Sequence, residues 1–407
     1  MLSIRMKLYV FMLIGMVAAV GQQDSGSANT EQAPGRDEIQ TIEKLLPQLP
    51  DRGPALFQLA HDYALLGDLK KGMSLLRECI SLHEGFDPEG DSAFDRIKNE
   101  PEFNSLVDQV HRDFPPEHGA TLAFMIAPKD LLPEGLAVDP KGHFFYMGSQ
   151  SRKKIIRISG TGNVSDFVPE GKYNLQSVCG IKVDPVNEDV WANTYTDDGK
   201  GSELLHFDSK GDLLERSSQN MPGPHLFNDL ALRNSNEIYL TDSLANKVLR
   251  FDRKTHAFTP ISFPRPIYYP NGIALSEDQN LLYVADAFGV LLYDLLNQKG
   301  REVHAGASMT ISGFDGLYWY RGSLVGIQNS LGMPRVAQFQ LSPDGSSVTK
   351  TTILEYRSDY VESPTTGAID GSNFYFMANT HIDNWKNGKI VDPTQLAAVR
   401  VAVIHLN

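Results

Sequence analysis

Cysteine is nearly absent: Cys79 and Cys179 are the only two in 407 residues. That excludes a disulfide framework, and both are expected to be free thiols. Basic residues are in deficit, with 37 Lys and Arg against 50 Asp and Glu, for a net charge of -13. The two signs are mixed along the chain, so the basic patch that nucleic acid requires is missing. Long hydrophobic runs are lacking too. The apolar run from Leu8 to Val20 is too short to span a bilayer. It follows Arg5 and Lys7 and ends in Ala19-Val20-Gly21, so residues 1–21 read as an export signal cleaved near Gln22. No Cys follows the run, which argues against a lipid anchor. The mature chain is then expected in the periplasm or outside the cell, with no membrane span. Residues 22–36 are polar and Ser/Gly/Gln-rich and read as a disordered linker.

What is present begins with enough apolar residues, 41%, to bury a substantial core. Residues 37–113 carry helical periodicity. Leu56, Leu59, Ala60, Tyr63 and Ala64 recur at three- and four-residue spacing, Gly67-Asp68 interrupts, and Leu69, Met73, Leu76, Cys79 and Ile80 resume. The order Ala60, Tyr63, Gly67, Gly72, Leu76, Cys79 resembles a tetratricopeptide repeat, with Cys79 as a small apolar filler. Phe94 to Val110 adds helix, expected to be broken at Pro101. A single repeat cannot close its own apolar face. This unit must therefore pack on the rest of the chain, on a protein partner or on a second copy.

Pro115-Pro116 ends the helices. From Ala120 to Asn407 the texture is short β-rich runs divided by Gly, Asp and Asn, and it repeats six times. The units open at Glu134-Gly135, Cys179-Gly180, Asn228-Asp229, Asn271-Gly272, Asp315-Gly316 and Thr366-Gly367, spaced by 43 to 51 residues. A second landmark closes a hydrophobic strand 13 to 15 residues later, at Ser149, Asn193, Asp242, Asp286, Asn329 and Asn379. Two landmarks in register six times predict a mainly β chain: a six-bladed propeller over residues 120–407, preceded by a small helical domain. The stretches Ala120 to Ile126 and Val399 to Leu406 are placed to share the last blade and close the ring.

In a propeller the innermost strand of each blade lines the channel. The six residues before the Gly-apolar starts therefore surround one axis: Glu134, Cys179, Asn228, Asn271, Asp315 and Thr366. Two carboxylates and two amides offer hard oxygen ligands, which suits Ca²⁺ with its 6–8 oxygens. Mg²⁺ or another divalent cation is second, and Zn²⁺ fits poorly because the ring has no His. Glu134, Asn228, Asn271 and Asp315 form the expected metal set. The second landmark reads as structural, tying strand ends to loops. His225 and His381 lie near the channel mouth and titrate in a useful range. Cys179 faces the channel with no His/Asn partner evident.

These motifs resemble the family of senescence marker protein, gluconolactonase and luciferin-regenerating enzyme, and the related paraoxonases and diisopropyl-fluorophosphatases. The likeness covers roughly the propeller two-thirds of the chain. It implies a calcium-dependent hydrolase acting on a lactone or related ester small molecule. Glu134 matches the family Glu, Asn271 the Asn of its Asn-Gly motif, and Asp315 the Asp of its Asp-Gly motif. Asn228 matches an Asn that binds metal or substrate. On this reading Asp315 or Glu134, then His225, accepts the proton from water, while Asn228, Cys179 and His381 contact substrate. There are departures: Leu226 stands where gluconolactonases often carry Arg, and Cys179 where paraoxonases carry His. Two alternatives stay open. One is a non-catalytic propeller of the NHL kind that binds a ligand or protein. The other is a hydrolase of phosphotriesters or aryl esters.

Overall fold

The computed structural model describes residues 35–407, except 50, 140, 142, 143, 219–221, 235, 307, 308, 331, 333 and 387. The expected export signal and nearly all of the linker lie outside the described residues. No described helix is long and apolar enough to cross a membrane.

Four helices come first: α1 (Arg36–Leu45), α2 (Gly53–Leu65), α3 (Leu69–Ile80) and α4 (Pro101–Asp113). A left-handed Gly67 ends the α2 region, and the Asp68 carboxylate then caps α3 by accepting from Lys71 N. Such a cap satisfies one of the donors that a helix start leaves orphaned. The α2–α3 hairpin needs a small residue at its contact, since a β-carbon on Gly72 would lie 3.0 Å from the Ala60 carbonyl oxygen. Pro101 does not break a helix that starts at Phe94; it opens α4. Its missing N–H is one that the first turn leaves unbonded in any case. Phe94 belongs to a separate 3-10 turn.

Among the described residues six antiparallel sheets of four or five strands follow, with a small two-stranded ribbon, Trp385–Lys386 and Lys389–Ile390, beside them. The innermost strands of blades 1 to 6 are Pro133–Val138, Ser177–Val183, Phe227–Arg233, Ile273–Leu275, Phe314–Tyr320 and Gly367–Asp370. Blades 1 to 5 each run outward through the next three strands in sequence. Blade 6 is composite: Asn373–Met377 pairs with the C-terminal strand Val399–His405, and the early strand Ala120–Ile126 supplies the outer edge. The ring is thereby closed between the two ends of the domain.

The helical unit docks on blades 4 and 5. Phe57, Phe86, Phe94 and Phe114 share one continuous apolar core with Phe288, Phe314, Leu317 and Phe339. Burial of each large side chain contributes roughly 1.5–3 kcal/mol, so the propeller covers the apolar face that a lone helical pair cannot cover. Polar contacts fix the orientation: Tyr356 OH donates to Asp87 Oδ2 at 2.8 Å, and Arg357 pairs with both Asp87 and Glu89. Both cysteines are buried free thiols, Cys79 inside the helical unit and Cys179 in the propeller.

Candidate metal and catalytic site

The ring is built by glycine. A β-carbon on Gly180 would lie 2.5 Å from the Asn228 carbonyl oxygen, and one on Gly272 would lie 2.6 Å from that of Asp315. One on Gly135 would collide with the Cys179 carbonyl. The glycine after the ring residue in blades 1, 2 and 4 thus lets neighbouring inner strands meet at the axis. In blades 1, 2, 3 and 5 the pairing with the next strand slips at the ring residue itself. Bulges of this kind re-aim side chains beside functional sites.

Side chains continue the circle. Thr366 Oγ1 donates to the Glu134 carbonyl, joining blade 6 to blade 1. Thr241 Oγ1 donates to the Asn271 carbonyl at 2.8 Å, joining blades 3 and 4. Asn271 Nδ2 donates to Asp315 Oδ1 at 2.9 Å, joining blades 4 and 5. Asn329 Nδ2 donates to both Asp315 Oδ2 at 2.7 Å and the Pro364 carbonyl at 2.9 Å, joining blades 5 and 6. All six ring side chains are buried.

The amides are oriented by these bonds. Asn271 spends an N–H on Asp315, and Asn228 spends one on Ser243 Oγ at 3.0 Å. Each is left with its carbonyl oxygen as the ligand atom, the end a hard cation requires. The field is acidic. The Cys179 thiol is pushed well up by burial, then by Glu134, Asp315 and Asp229. Tyr269 is pushed up by burial, then by Asp315, Cys179 and Glu134, and Tyr195 by burial, then by Cys179 and Glu134. The charged groups behind these shifts are all acids, so the donor set and its field both fit a divalent cation.

His225 is clamped in the interior, its Nδ1 2.6 Å from Asp242 Oδ2. A carboxylate accepts only, so Nδ1 carries the proton and Nε2 is the basic nitrogen. Ser243, next in the chain, holds Asn228. His381 is buried with a left-handed backbone, and its Nε2 accepts from Asn379 Nδ2 at 3.2 Å. That bond occupies the lone pair a general base would use.

Several residues of the site are not marked in the sequence pattern. Tyr195 OH donates to Gln150 Oε1 at 2.9 Å, and Gln150 Nε2 lies 4.0 Å from Cys179 Sγ. Tyr269 stands two residues before Asn271 with a left-handed backbone and its N–H on Asn246 Oδ1 at 2.8 Å. Below the ring Lys182 Nζ pairs with Asp229 Oδ1 at 3.0 Å. Asp229 takes the glycine's place in blade 3. Another group with metal-ligand spacing is Asp87, Glu89 and His111. Arg357 already pairs with both of its acids, which makes it a docking contact.

The second landmark ties strand ends to loops at Ser149, Asp242, Asp286 and Asn379, through bonds to Leu131 O, Leu226 N, Tyr268 N and Arg400 N. It slips by one residue in two blades. Thr194 and Gln328 face Val178 and Phe314, as Ser149 and Asp242 face Pro133 and Phe227. Asn193 and Asn329 are therefore displaced, and Asn329 is free to hold Asp315.

No protein-family model matches the chain, and no curated protein matches it in sequence. Solved structures do match. The PQQ-bound aldose sugar dehydrogenase of Streptomyces coelicolor superposes with a TM-score of 0.51 at 16% identity, covering 71% of this chain and 98% of that one. A gluconolactonase of Xanthomonas campestris superposes with a TM-score of 0.50 at 14% identity, covering 70% and 89%. At these identities the likeness establishes the fold: the chain is a six-bladed propeller with a helical unit in front.

Proposed function

We propose that this propeller is a divalent-cation-dependent hydrolase of a lactone or related ester, with calcium the favoured ion. The supporting observation is the ring itself. Two buried carboxylates and two oriented amide oxygens come from four blades, and the acids Glu134 and Asp315 dominate the field on the neighbouring Cys179 and Tyr269. Glu134, Asn228, Asn271 and Asp315 would hold the cation. When bound, such an ion supplies Lewis acidity toward a carbonyl oxygen and lowers the pKa of water.

The chain's residues divide the remaining work. Asp315 accepts an amide N–H on each oxygen, which suits a fixed ligand better than a proton acceptor. His225, buried and oriented by Asp242, is the candidate for the base role, with Glu134 the other. Tyr269 and Tyr195 keep their protons, and Tyr195 gives its own to Gln150 Oε1, so both fit the wall of the site. Cys179 fits a wall residue: a thiol pushed up by burial and acids is a poor nucleophile. His381, its lone pair taken by Asn379, also fits the wall.

The test is metal analysis of the purified protein, then a panel of sugar lactones, aliphatic lactones, aryl esters and phosphotriesters with and without chelator. Chelator-sensitive lactone hydrolysis is expected. Hydrolysis indifferent to chelator, or none across the panel by calcium-loaded protein, would overturn the reading.

A further inference from the structure

Asp315 is the ring acid whose supports reach outside the propeller. Its segment, Thr310 to Phe314, is gripped from two sides. Gln328 Nε2 donates to the Thr310 and Ser312 carbonyls at 3.1 and 2.7 Å. The Asn329 N–H donates to the Gly313 carbonyl at 3.2 Å, and Gly313 turns through a left-handed φ of 69°. The other grip is the helical unit. Thr310 Oγ1 donates to the buried Asp51 Oδ2 at 2.5 Å, and Thr310 N–H donates to the Glu84 carbonyl at 3.3 Å. With its proton given to Asp51, Thr310 Oγ1 accepts from Ser312 Oγ at 2.7 Å.

A second line runs through Arg335, which is fully buried. Its Nε donates to Gln328 Oε1 at 2.7 Å, and its Nη1 and Nη2 donate to the Gly85 and Glu84 carbonyls at 2.9 and 3.4 Å. One guanidinium thus joins the α3–α4 connection to the side chain that grips the Asp315 segment. The matching bonds ahead of Glu134 and Asn228 stay within the propeller: Ser149 on Leu131 O, and Asp242 on Leu226 N.

We infer that the helical unit is a positioning element of the ring, setting Asp315 through Thr310 and Arg335. The idea rests on the cation reading above and adds to it that cation affinity depends on helical docking. Partners that orient a ligand without touching the ion set affinity because a misaligned carboxylate must be reordered on binding.

The experiment uses the full chain and calcium as the probe. Calorimetric titration compares wild type with Thr310→Val, which removes the hydroxyl and keeps the shape, and with Thr310→Ser, which keeps the hydroxyl. Arg77→Ala, which loses only an exposed pair with Glu102, is the control. Amide hydrogen exchange of calcium-free protein is followed over residues 309–318 and, for reference, 131–138. Thr310→Val is expected to weaken calcium binding about 10-fold and to speed exchange over 309–318 but not over 131–138. Thr310→Ser should restore both, and Arg77→Ala should change neither. Should Thr310→Val fail to fold, Arg335→Lys, which keeps the charge and loses the fork, is read the same way. Wild-type calcium affinity and unchanged exchange in the valine or lysine variant overturn the inference and leave the cation reading standing. A wild type that takes up no calcium overturns the cation reading, and the exchange arm then decides alone whether the helical unit braces the Asp315 segment.

Discussion

Two aspartates illustrate how position decides role. Asp315 is held by two amide N–H groups and belongs to the acidic ring. Asp286 is a counter-ion: Arg265 Nη2 reaches its Oδ1 at 2.9 Å and Nη1 its Oδ2 at 2.5 Å, and Tyr268 N–H and Phe288 N–H donate to it as well. Asp315→Ala should lower calcium affinity by more than the roughly 10–100-fold typical of residues that only orient a ligand. Chelator should then lower the melting temperature of wild type more than that of the variant, because a ligand bound only by the folded state stabilises it. Asp286→Ala should instead cost about 2 kcal/mol of stability, since Arg265 keeps Glu302 as a partner while the Tyr268 and Phe288 N–H groups lose their acceptor, with a smaller loss of calcium affinity. Urea denaturation and calorimetric titration of both variants separate the two roles. An Asp315→Ala protein that binds calcium like wild type would reduce the ring to a turn motif.

At the scale of elements, the repeated X-Gly start is a packing rule before it is a site. Gly272→Ala would place a β-carbon 2.6 Å from both the Asp315 carbonyl oxygen and the Leu317 nitrogen. It should cost about 1–3 kcal/mol by overpacking and weaken calcium binding by parting blades 4 and 5. Gly201→Ala, whose β-carbon would meet Thr196 Cγ2 at 3.4 Å, should be close to neutral; denaturant midpoints measure both. This packing rule is why the ring is legible in the sequence: inner strands that must touch impose a glycine at one register in blades 1, 2 and 4, and packing within the blade imposes it in blades 5 and 6. The second landmark is less regular in the structure than in the sequence. A one-residue difference in hairpin length turns a side chain to the other face, so Asn193 and Asn329 aligned where Thr194 and Gln328 belong. At Pro101 the sequence marks a helix boundary without saying whether a helix ends or begins there. Gln150, Tyr195, Tyr269 and Arg335 were invisible for another reason: their partners lie in other blades or in the helical unit, and no local spacing encodes them.

At the scale of the whole molecule, the docking face holds an acid pair. Glu84 is pushed up from 4.5 to about 8, by burial first and then by Asp51; Asp51 is itself pushed up by burial. Around them lie Thr310, the buried Cys79 thiol and the Arg335 guanidinium on the Glu84 carbonyl. The folded state keeps a proton that the unfolded chain releases. This contribution is therefore fully present below about 4.5 and is lost as the pH rises through about 8. Thermal scans of metal-free protein should show the melting temperature of wild type falling across that window relative to Glu84→Gln, which has no proton to lose. Parallel curves would show that the pair does not govern docking. The shared sixth blade has a different consequence, a mechanical one. Ala120 lies opposite Ile404, and Ile126 opposite Val399. The chain therefore enters and leaves this pair at the same end. Tension carried by the flanking chain would load the bonds one after another, as in opening a zip, and not all together in shear. Once the short pairing of Glu117 and His118 with blade 5 gives way, a pull would open the ring at this one seam.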